Sequence, residues 1–148
     1  MKINILSTGK FSSQDPYKLL FEEYKKRIQW SINLKELDIK QNLSKNELQN
    51  KEAQLIKNNL NDKTKRIVLD EKGKILSSME FANKLLDWSS DMSFIIGGPY
   101  GHSQEVRNNA DFILSFGKMT LPHMMSRVVL IEQIYRAYTI INHHPYHK

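Results

Sequence analysis

Five times along this chain a short run of β-forming residues gives way to a polar turn and then to a helical pattern, and no hairpin signal joins two of the runs. Strands separated by helices pair in parallel through right-handed crossovers, which place helices on both faces of the sheet. The expected architecture is therefore α/β, doubly wound, with a mostly parallel sheet, in a single domain spanning residues 1–148. The first run is Ile3, Ile5 and Leu6, stopping at Ser7-Thr8-Gly9; Pro16 then opens a helix with Leu19, Leu20, Tyr24 and Ile28 on one side. Ile32 and Leu34, then Leu37 and Ile39, alternate as a strand with a slip at Lys35-Glu36. Ser44-Lys45-Asn46-Glu47 reads as a capping box, and Leu48, Leu55, Ile56 and Leu60 form the core stripe of the helix it starts. Ile67 to Asp70 is the third run, with Glu71-Lys72-Gly73-Lys74 as a polar turn. Ser77-Ser78-Met79-Glu80 restarts a helix whose Ala82, Leu85 and Leu86 face inward.

Phe94-Ile95-Ile96 runs straight into Gly97-Gly98-Pro99-Tyr100-Gly101, a turn whose bare backbone can approach a ligand, and His102-Ser103 lead from it into a short helix capped by Ser103. A weak strand, Phe112 to Leu114, precedes a second unusual loop, Thr120-Leu121-Pro122-His123. Ligands of open α/β sheets sit outside the carboxyl ends of strands, so the two loops are expected to wall one pocket; the plainer alternative is two tight turns. Neither G-x-G-x-x-G after a strand nor G-x-x-x-x-G-K-[ST] occurs, which lowers dinucleotide dehydrogenases and P-loop enzymes. Asp70 and Glu71 are either catalytic carboxylates or turn-forming charges, and His123 is the acid–base group of a small-molecule enzyme if the chain is one.

Lysine and arginine number 22 against 16 acidic residues, a formal charge of +6, with Lys18, Lys25, Lys26 and Arg27 on one helix. This surplus favours RNA or DNA as partner. Without cysteine there are no disulfides, thiolate metal sites or cysteine nucleophiles. No apolar core of a signal peptide follows Met1, and no run approaches a membrane span, so a cytoplasmic protein with no membrane partner is expected. Met124 to Ile141 is apolar on more than one face, which calls for an enclosing fold or a second subunit. Beyond it, Pro145 disfavours helix at His144, so the tail should leave the body as an extended segment. Its histidines have neither an i, i+4 pair nor a carboxylate ligand, and no metal is expected.

Ile95-Ile96-Gly97-Gly98-Pro99 with Gly101, Thr120-Leu121-Pro122-His123, Arg127, Glu132-Gln133-Ile134-Tyr135-Arg136-Ala137 and His144-Pro145-Tyr146-His147 together resemble the bacterial large-subunit rRNA pseudouridine N3-methyltransferases of the SPOUT class. The resemblance covers the whole chain. It implies a C-terminal trefoil knot, S-adenosylmethionine held in the knot loops, and a homodimer with the last helix at the interface and each active site built by both subunits. Cofactor contacts are implied at Leu69, Gly98, Gly117, Lys118, Met119, Thr120, Leu121 and Pro122, and His144, Tyr146, His147, Lys148 and Arg136 are implied around the target base. The implied reaction moves a methyl group to N3 of a pseudouridine in a stem-loop of 23S rRNA, within the large subunit or the assembled ribosome. The chain departs from the pattern at His143, where asparagine is familiar, and at Lys148, where arginine is; lysine lacks the planar fork for bidentate binding. The competing reading is a non-catalytic RNA-binding or ribosome-assembly module on the same fold.

Overall fold

The computed structural model describes residues 1–39 and 42–148. Strands and helices alternate strictly: β1 (Lys2–Thr8), α1 (Pro16–Lys25), β2 (Ser31–Leu37), α2 (Lys45–Asn59), β3 (Lys65–Ile75), α3 (Ser78–Trp88), β4 (Met92–Ile96), α4 (Gln104–Asn108), β5 (Phe112–Ser115) and α5 (His123–Ile141). The strands form one sheet in the order β2-β1-β4-β3-β5, with every neighbouring pair parallel, as the alternation predicts.

Side chains alternate across a strand, and here both sets are covered. Ile3, Ile5, Ile67, Phe94 and Ile96 pack with Phe21 of α1, Phe81 and Leu85 of α3 and Leu130, Ile131 and Ile134 of α5. Leu6, Val68 and Ile95 point the other way, onto Ala53 and Ile56 of α2 and Val106 of α4. Helices therefore lie on both faces, and β4, buried along its whole length, is the centre.

The helix starts follow the sequence closely. Asp15 caps α1 ahead of Pro16, Ser103 caps α4, and Ser77 and Glu80 form a complete reciprocal box at α3. At α2 the box is only half made: Ser44 Oγ accepts from the Glu47 N–H at 3.3 Å, but the carboxylate takes the serine hydroxyl at 2.9 Å instead of the backbone amide.

Helix faces depart from expectation where neighbouring apolar residues compete for one stripe. Phe21 is fully buried, whereas Leu19 and Leu20 are 67% and 48% exposed; the stripe runs Phe21, Tyr24, Ile28. On α3, Phe81 takes the inward position assigned to Leu86, which is exposed. On α2, Glu52 and Ala53 share the buried stripe with Ile56, while Leu48, Leu55 and Leu60 are half-buried. β2 pairs with β1 without a slip from Ser31 to Leu37, and Ile39 lies beyond it.

The largest correction concerns Glu71 to Lys74. The strand does not turn there: β3 continues to Ile75 through a bulge, with Leu114 of β5 opposite both Leu69 and Lys74. A Cβ on Gly73 would meet the backbone of Ile113 and Leu114 at 2.7 Å, so β3 passes β5 only because that side chain is absent.

α5 lies over the sheet between α1 and α3, and none of its residues is exposed. The enclosing fold thus covers most of the apolar surplus of Met124 to Ile141 within one chain. Arg127, fully buried, ties α5 to the sheet: Nη2 donates to the carbonyls of Thr8 and Gly9, both at 2.7 Å, and Nη1 to Glu36 Oε2 at 3.0 Å. The same Glu36 oxygen accepts from the Phe11 N–H, and the guanidinium stacks over the Phe11 ring. Among the described residues no helix is long and apolar enough to cross a membrane.

Gly73→Ala forces two backbones apart and should lower unfolding free energy by about 1–3 kcal/mol, the range of overpacking changes. Urea denaturation measures it, and an unchanged midpoint would contradict the bulge geometry.

Candidate functional site

Leu69 stands opposite Ile96 of β4 on one side and Leu114 of β5 on the other. The loops after β4 and β5 therefore leave the sheet on either side of it, so that the implied cofactor positions Gly98 and Gly117 to Pro122 follow two carboxyl ends that flank Leu69, which lies within β3 ahead of its bulge. After β5, Ser115 Oγ accepts from the Gly117 N–H and donates to its carbonyl, both at 3.0 Å. Apart from its chain neighbours, no atom of the described residues lies within 4 Å of where a Cβ on Gly117 would be. The backbone of Lys118 to Leu121 makes no hydrogen bond to other described residues, Lys118 and Thr120 are exposed, and Met119 is 86% exposed. Beside this loop a cavity of about 290 Å³ opens between β3, α3, β5 and α5, lined among others by Leu76, Ser77, Phe81, Ser115, Phe116 and Gln133. Sequence reasoning missed these walls because it ended β3 at Asp70; the apolar pair Ile75-Leu76 after Gly73 was the available signal.

The Gly97–Gly101 loop is built differently from its sequence expectation. Its bare glycines face the chain's own buried side chains: a Cβ on Gly97 would meet the His102 imidazole at 2.8 Å, and one on Gly98 would meet Glu52 Oε2 at 2.9 Å. The Gly98 N–H is directed at the Glu52 carboxyl, 3.3 and 3.2 Å from its two oxygens, and the Gly98 carbonyl accepts from Gly101 at 3.1 Å. Gln49, one turn earlier on α2, donates to the Tyr100 carbonyl at 3.0 Å. Glu52 had no sequence signal, since a glutamate in mid-helix ordinarily reads as solvated.

His102 is 2% exposed, with Nδ1 3.7 Å from Glu52 Oε1. Burial pulls its pKa down to about 4, with the nearby Asp70 charge opposing and Arg107 assisting, so the ring is neutral at pH 7. Burial pushes the Glu52 carboxyl up, against the hydrogen bonds from Gly98 and Thr8. Asp70 is not a free catalytic carboxylate. Burial alone would raise its pKa, but the Lys72 N–H and the Arg107 guanidinium, at 2.9 and 2.8 Å, hold it below the ordinary value. Glu71 is exposed on the bulge. His123 occupies the first position of α5, half-buried beside Gly9, its pKa lowered by burial and then by Arg127.

The tail does not leave the body. His143 adopts a left-handed conformation (φ 56°), which histidine and asparagine tolerate better than most residues, and the His144 N–H closes the helix onto the Thr139 carbonyl at 2.8 Å. The chain then folds back along α5. Tyr146 packs on Tyr135 with ring centroids 4.7 Å apart and donates its hydroxyl to Glu132 Oε1 at 3.0 Å. The same oxygen accepts from Arg136 Nε and Nη2 at 3.0 and 2.6 Å. Arg136 stacks over the Tyr146 ring at 4.8 Å and places Nη1 3.2 Å from His147 Nδ1. Burial and hydrogen bonding to Tyr24 and Glu132 push the Tyr146 phenol well above its ordinary pKa, and the Glu132 carboxylate raises that of Arg136. His144 and Lys148 are exposed. The structure thus gathers Arg136, Tyr146 and His147 around Glu132, a residue not assigned a role from sequence. It does not bring them to the cofactor loops of the same chain: at a rise of 1.5 Å per residue, Glu132 and Arg136 lie about 14–20 Å along α5 from His123.

The His102 shift carries a pH signature. Its folded pKa lies below the ordinary 6.5, so the stability it contributes is complete above about pH 6.5 and is lost as pH falls towards 4, about 3 kcal/mol in all. Glu52 acts in the opposite sense, because its raised pKa favours the folded state when protonated. His102→Gln should therefore flatten the loss of stability between pH 7 and pH 4 measured by urea unfolding; parallel curves for variant and parent would contradict the assignment.

Known proteins share this plan. A family model described as "Predicted SPOUT methyltransferase" matches residues 1–147. The chain is 41% identical over 152 residues to the ribosomal RNA large subunit methyltransferase H of Paramagnetospirillum magneticum, covering 100% of this chain and 99% of that protein. It is 38% identical over 159 residues to the protein of the same name from Francisella philomiragia, covering 100% of both. Among solved structures, a probable methylase family protein from Haemophilus influenzae superimposes with a TM-score of 0.60 at 12% identity, over 99% of this chain and 70% of that one. The SpoU methyltransferase AviRb from Streptomyces viridochromogenes, in complex with the cofactor AdoMet, gives 0.51 at 11% identity, over 97% and 59%. At such low identity these two establish likeness of fold. The family match runs from the first strand through the tail at His147, and the chain belongs to the family of SPOUT methyltransferases.

Proposed function

We propose that this chain is an S-adenosylmethionine-dependent methyltransferase that modifies N3 of a pseudouridine in a stem-loop of 23S rRNA, in the large subunit or assembled ribosome. The observation that carries the reading is the unbonded backbone of Lys118 to Leu121, beside an apolar cavity, in a chain that matches ribosomal RNA large subunit methyltransferases H from end to end. The residues fit the cofactor. The cavity has aromatic and aliphatic walls for a nucleoside together with serine hydroxyls and a glutamine amide, and the loop offers free backbone donors and acceptors. Leu69, Gly98 and Gly117 to Pro122 would hold it. When bound, it supplies an activated methyl group on a sulfonium.

The rest of the chemistry falls to the tail and α5. Arg136 keeps N–H groups beyond those given to Glu132 and His147 and is a donor suited to a carbonyl oxygen flanking N3, where negative charge grows as the proton leaves; Tyr146 becomes a second donor there when its one O–H turns from Glu132 to the base. Tyr146 is held protonated by its surroundings, so it donates and does not act as base. Arg136 has only N–H groups to offer, so in this contact His147 Nδ1 is the acceptor. That leaves His144, exposed on the tail, as the group free to take the N3 proton. Lys148 and the basic residues of α1 contact phosphates.

Cofactor loop and tail lie at different heights of α5, so one chain does not hold both halves of a site together. A homodimer, in which the tail of one subunit meets the cofactor loops of the other, joins them. Leu19, Leu20 and Met119 are the apolar side chains such a partner would cover. The reading includes a single 1–148 domain, trefoil threading of the C-terminal segment and action in the cytoplasm, where ribosomes are substrate.

Incubation of unmodified ribosomes with protein and S-adenosylmethionine should add one methyl group to a pseudouridine-containing rRNA fragment, read by mass spectrometry. Tyr146→Phe should lower the rate about a hundredfold, the scale of losing one charge-stabilising donor. A chain ending at His143 should still bind cofactor and transfer nothing. Full transfer by that truncation would place the chemistry elsewhere, and RNA binding without cofactor binding would favour the assembly-module reading. Light scattering should give twice the chain mass of 17.4 kDa, and a monomer at micromolar concentration would contradict the shared site.

A further inference from the structure

The carboxyl of Glu52 is out of place on the buried face of a helix. It lies in the middle of α2, 3% exposed, and among the described residues no lysine or arginine pairs with it, although buried glutamates are almost always paired. An apolar residue at that position would complete the stripe of Ala53 and Ile56 at no desolvation cost. What the carboxyl does instead is accept from the Gly98 N–H, while Gln49 one turn away holds the Tyr100 carbonyl and the His102 ring fills the space beneath Gly97. Two side chains thus hold one loop from below by its backbone, and the imidazole packs beneath it.

We propose that Glu52 is a positioning residue for cofactor binding: with Gln49 it fastens the Gly97–Gly101 loop to α2, over the His102 ring, and so sets the place of Gly98. The inference rests on the reading of that loop as one wall of the S-adenosylmethionine site. Glu52 itself reaches no cofactor. The groups facing it are Thr8 from β1, Gly98 and His102 from the segment after β4, and, beyond the imidazole, Asp70 of β3 paired with Arg107 of α4. The function asked of Glu52 is that of an acceptor. A carboxylate and a protonated carboxyl both retain a carbonyl-type oxygen for the Gly98 N–H, and so does an amide. Glutamine should therefore substitute for it, whereas alanine leaves the Gly98 amide without its partner and the loop unfastened.

Calorimetric titration with S-adenosylmethionine at pH 7, and hydrogen exchange of the Gly98 amide in the free protein, test this together. Glu52→Ala should raise the cofactor Kd about tenfold or more and, in ribosome assays, raise KM for cofactor while leaving KM for ribosomes unchanged. Glu52→Gln should bind within about threefold of the parent, and the Gly98 amide should be protected in parent and Glu52→Gln but not in Glu52→Ala. A folded Glu52→Ala protein with parental affinity overturns the proposal, as does a Glu52→Gln protein as weak as the alanine variant. If the alanine variant does not fold, parental affinity and a protected Gly98 amide in Glu52→Gln support it, and an unprotected amide in the parent overturns it. Failure of the parent to bind cofactor, with Gly98 protected, would instead sink the reading of the site on which it rests.

Discussion

The buried guanidinium of Arg127 fixes where everything functional sits. It bridges α5 to the carboxyl ends of β1 and β2, gripping two consecutive carbonyls of the β1 terminus and the Glu36 carboxylate together. Burying such a charge costs several kcal/mol unless its bonds are made, and geometry this demanding tolerates only one docking of the helix. Because α5 is docked there, the open loop before it must rise beside the ends of β3 and β5. Its C-terminal turns, in the same way, must carry Glu132 and Arg136 away from that loop.

The two faces of the sheet divide the work. On the α1–α3–α5 side lie the larger core, the cavity beside Phe116 and the network around Glu132. On the α2–α4 side lies a smaller core capped by Glu52, His102 and the Asp70–Arg107 pair. Two glycines of the central loop are explained by this second set. Gly97 and Gly98 lack side chains because histidine and glutamate already occupy the space, whereas Gly101 is bare for its left-handed backbone at φ 72°.

The order of elements was legible in the sequence because its signals are local. Pro16, the Ser77–Glu80 box, Ser103 and the apolar run of β4 all act within a few residues. What the sequence hid depends on neighbours far along the chain. Gly73 looked like a turn because the β5 backbone that requires its bareness is forty residues away. Leu19 and Leu20 looked like core because nothing local tells which of three adjacent apolar residues meets α5. Pro145 suggested an extended tail, but the return of Tyr146 to Glu132 is a tertiary contact. Motif resemblance singled out the proposed cofactor positions and the tail, while Glu52 and Glu132, which bond to the Gly98 loop and to Tyr146, carry no pattern of their own.

The central claim is that ligand binds beyond the carboxyl ends of β4 and β5, on either side of Leu69 in β3. Backbone-amide NMR during titration with S-adenosylmethionine tests it directly. The account predicts the largest shifts at Leu69, Gly98 and Gly117 to Leu121, spreading to Leu76 and Phe116 around the cavity. Shifts confined to the smaller cavity of about 150 Å³ between α2 and α4, at Lys57, Arg66, Glu105 and Asn109, would contradict it.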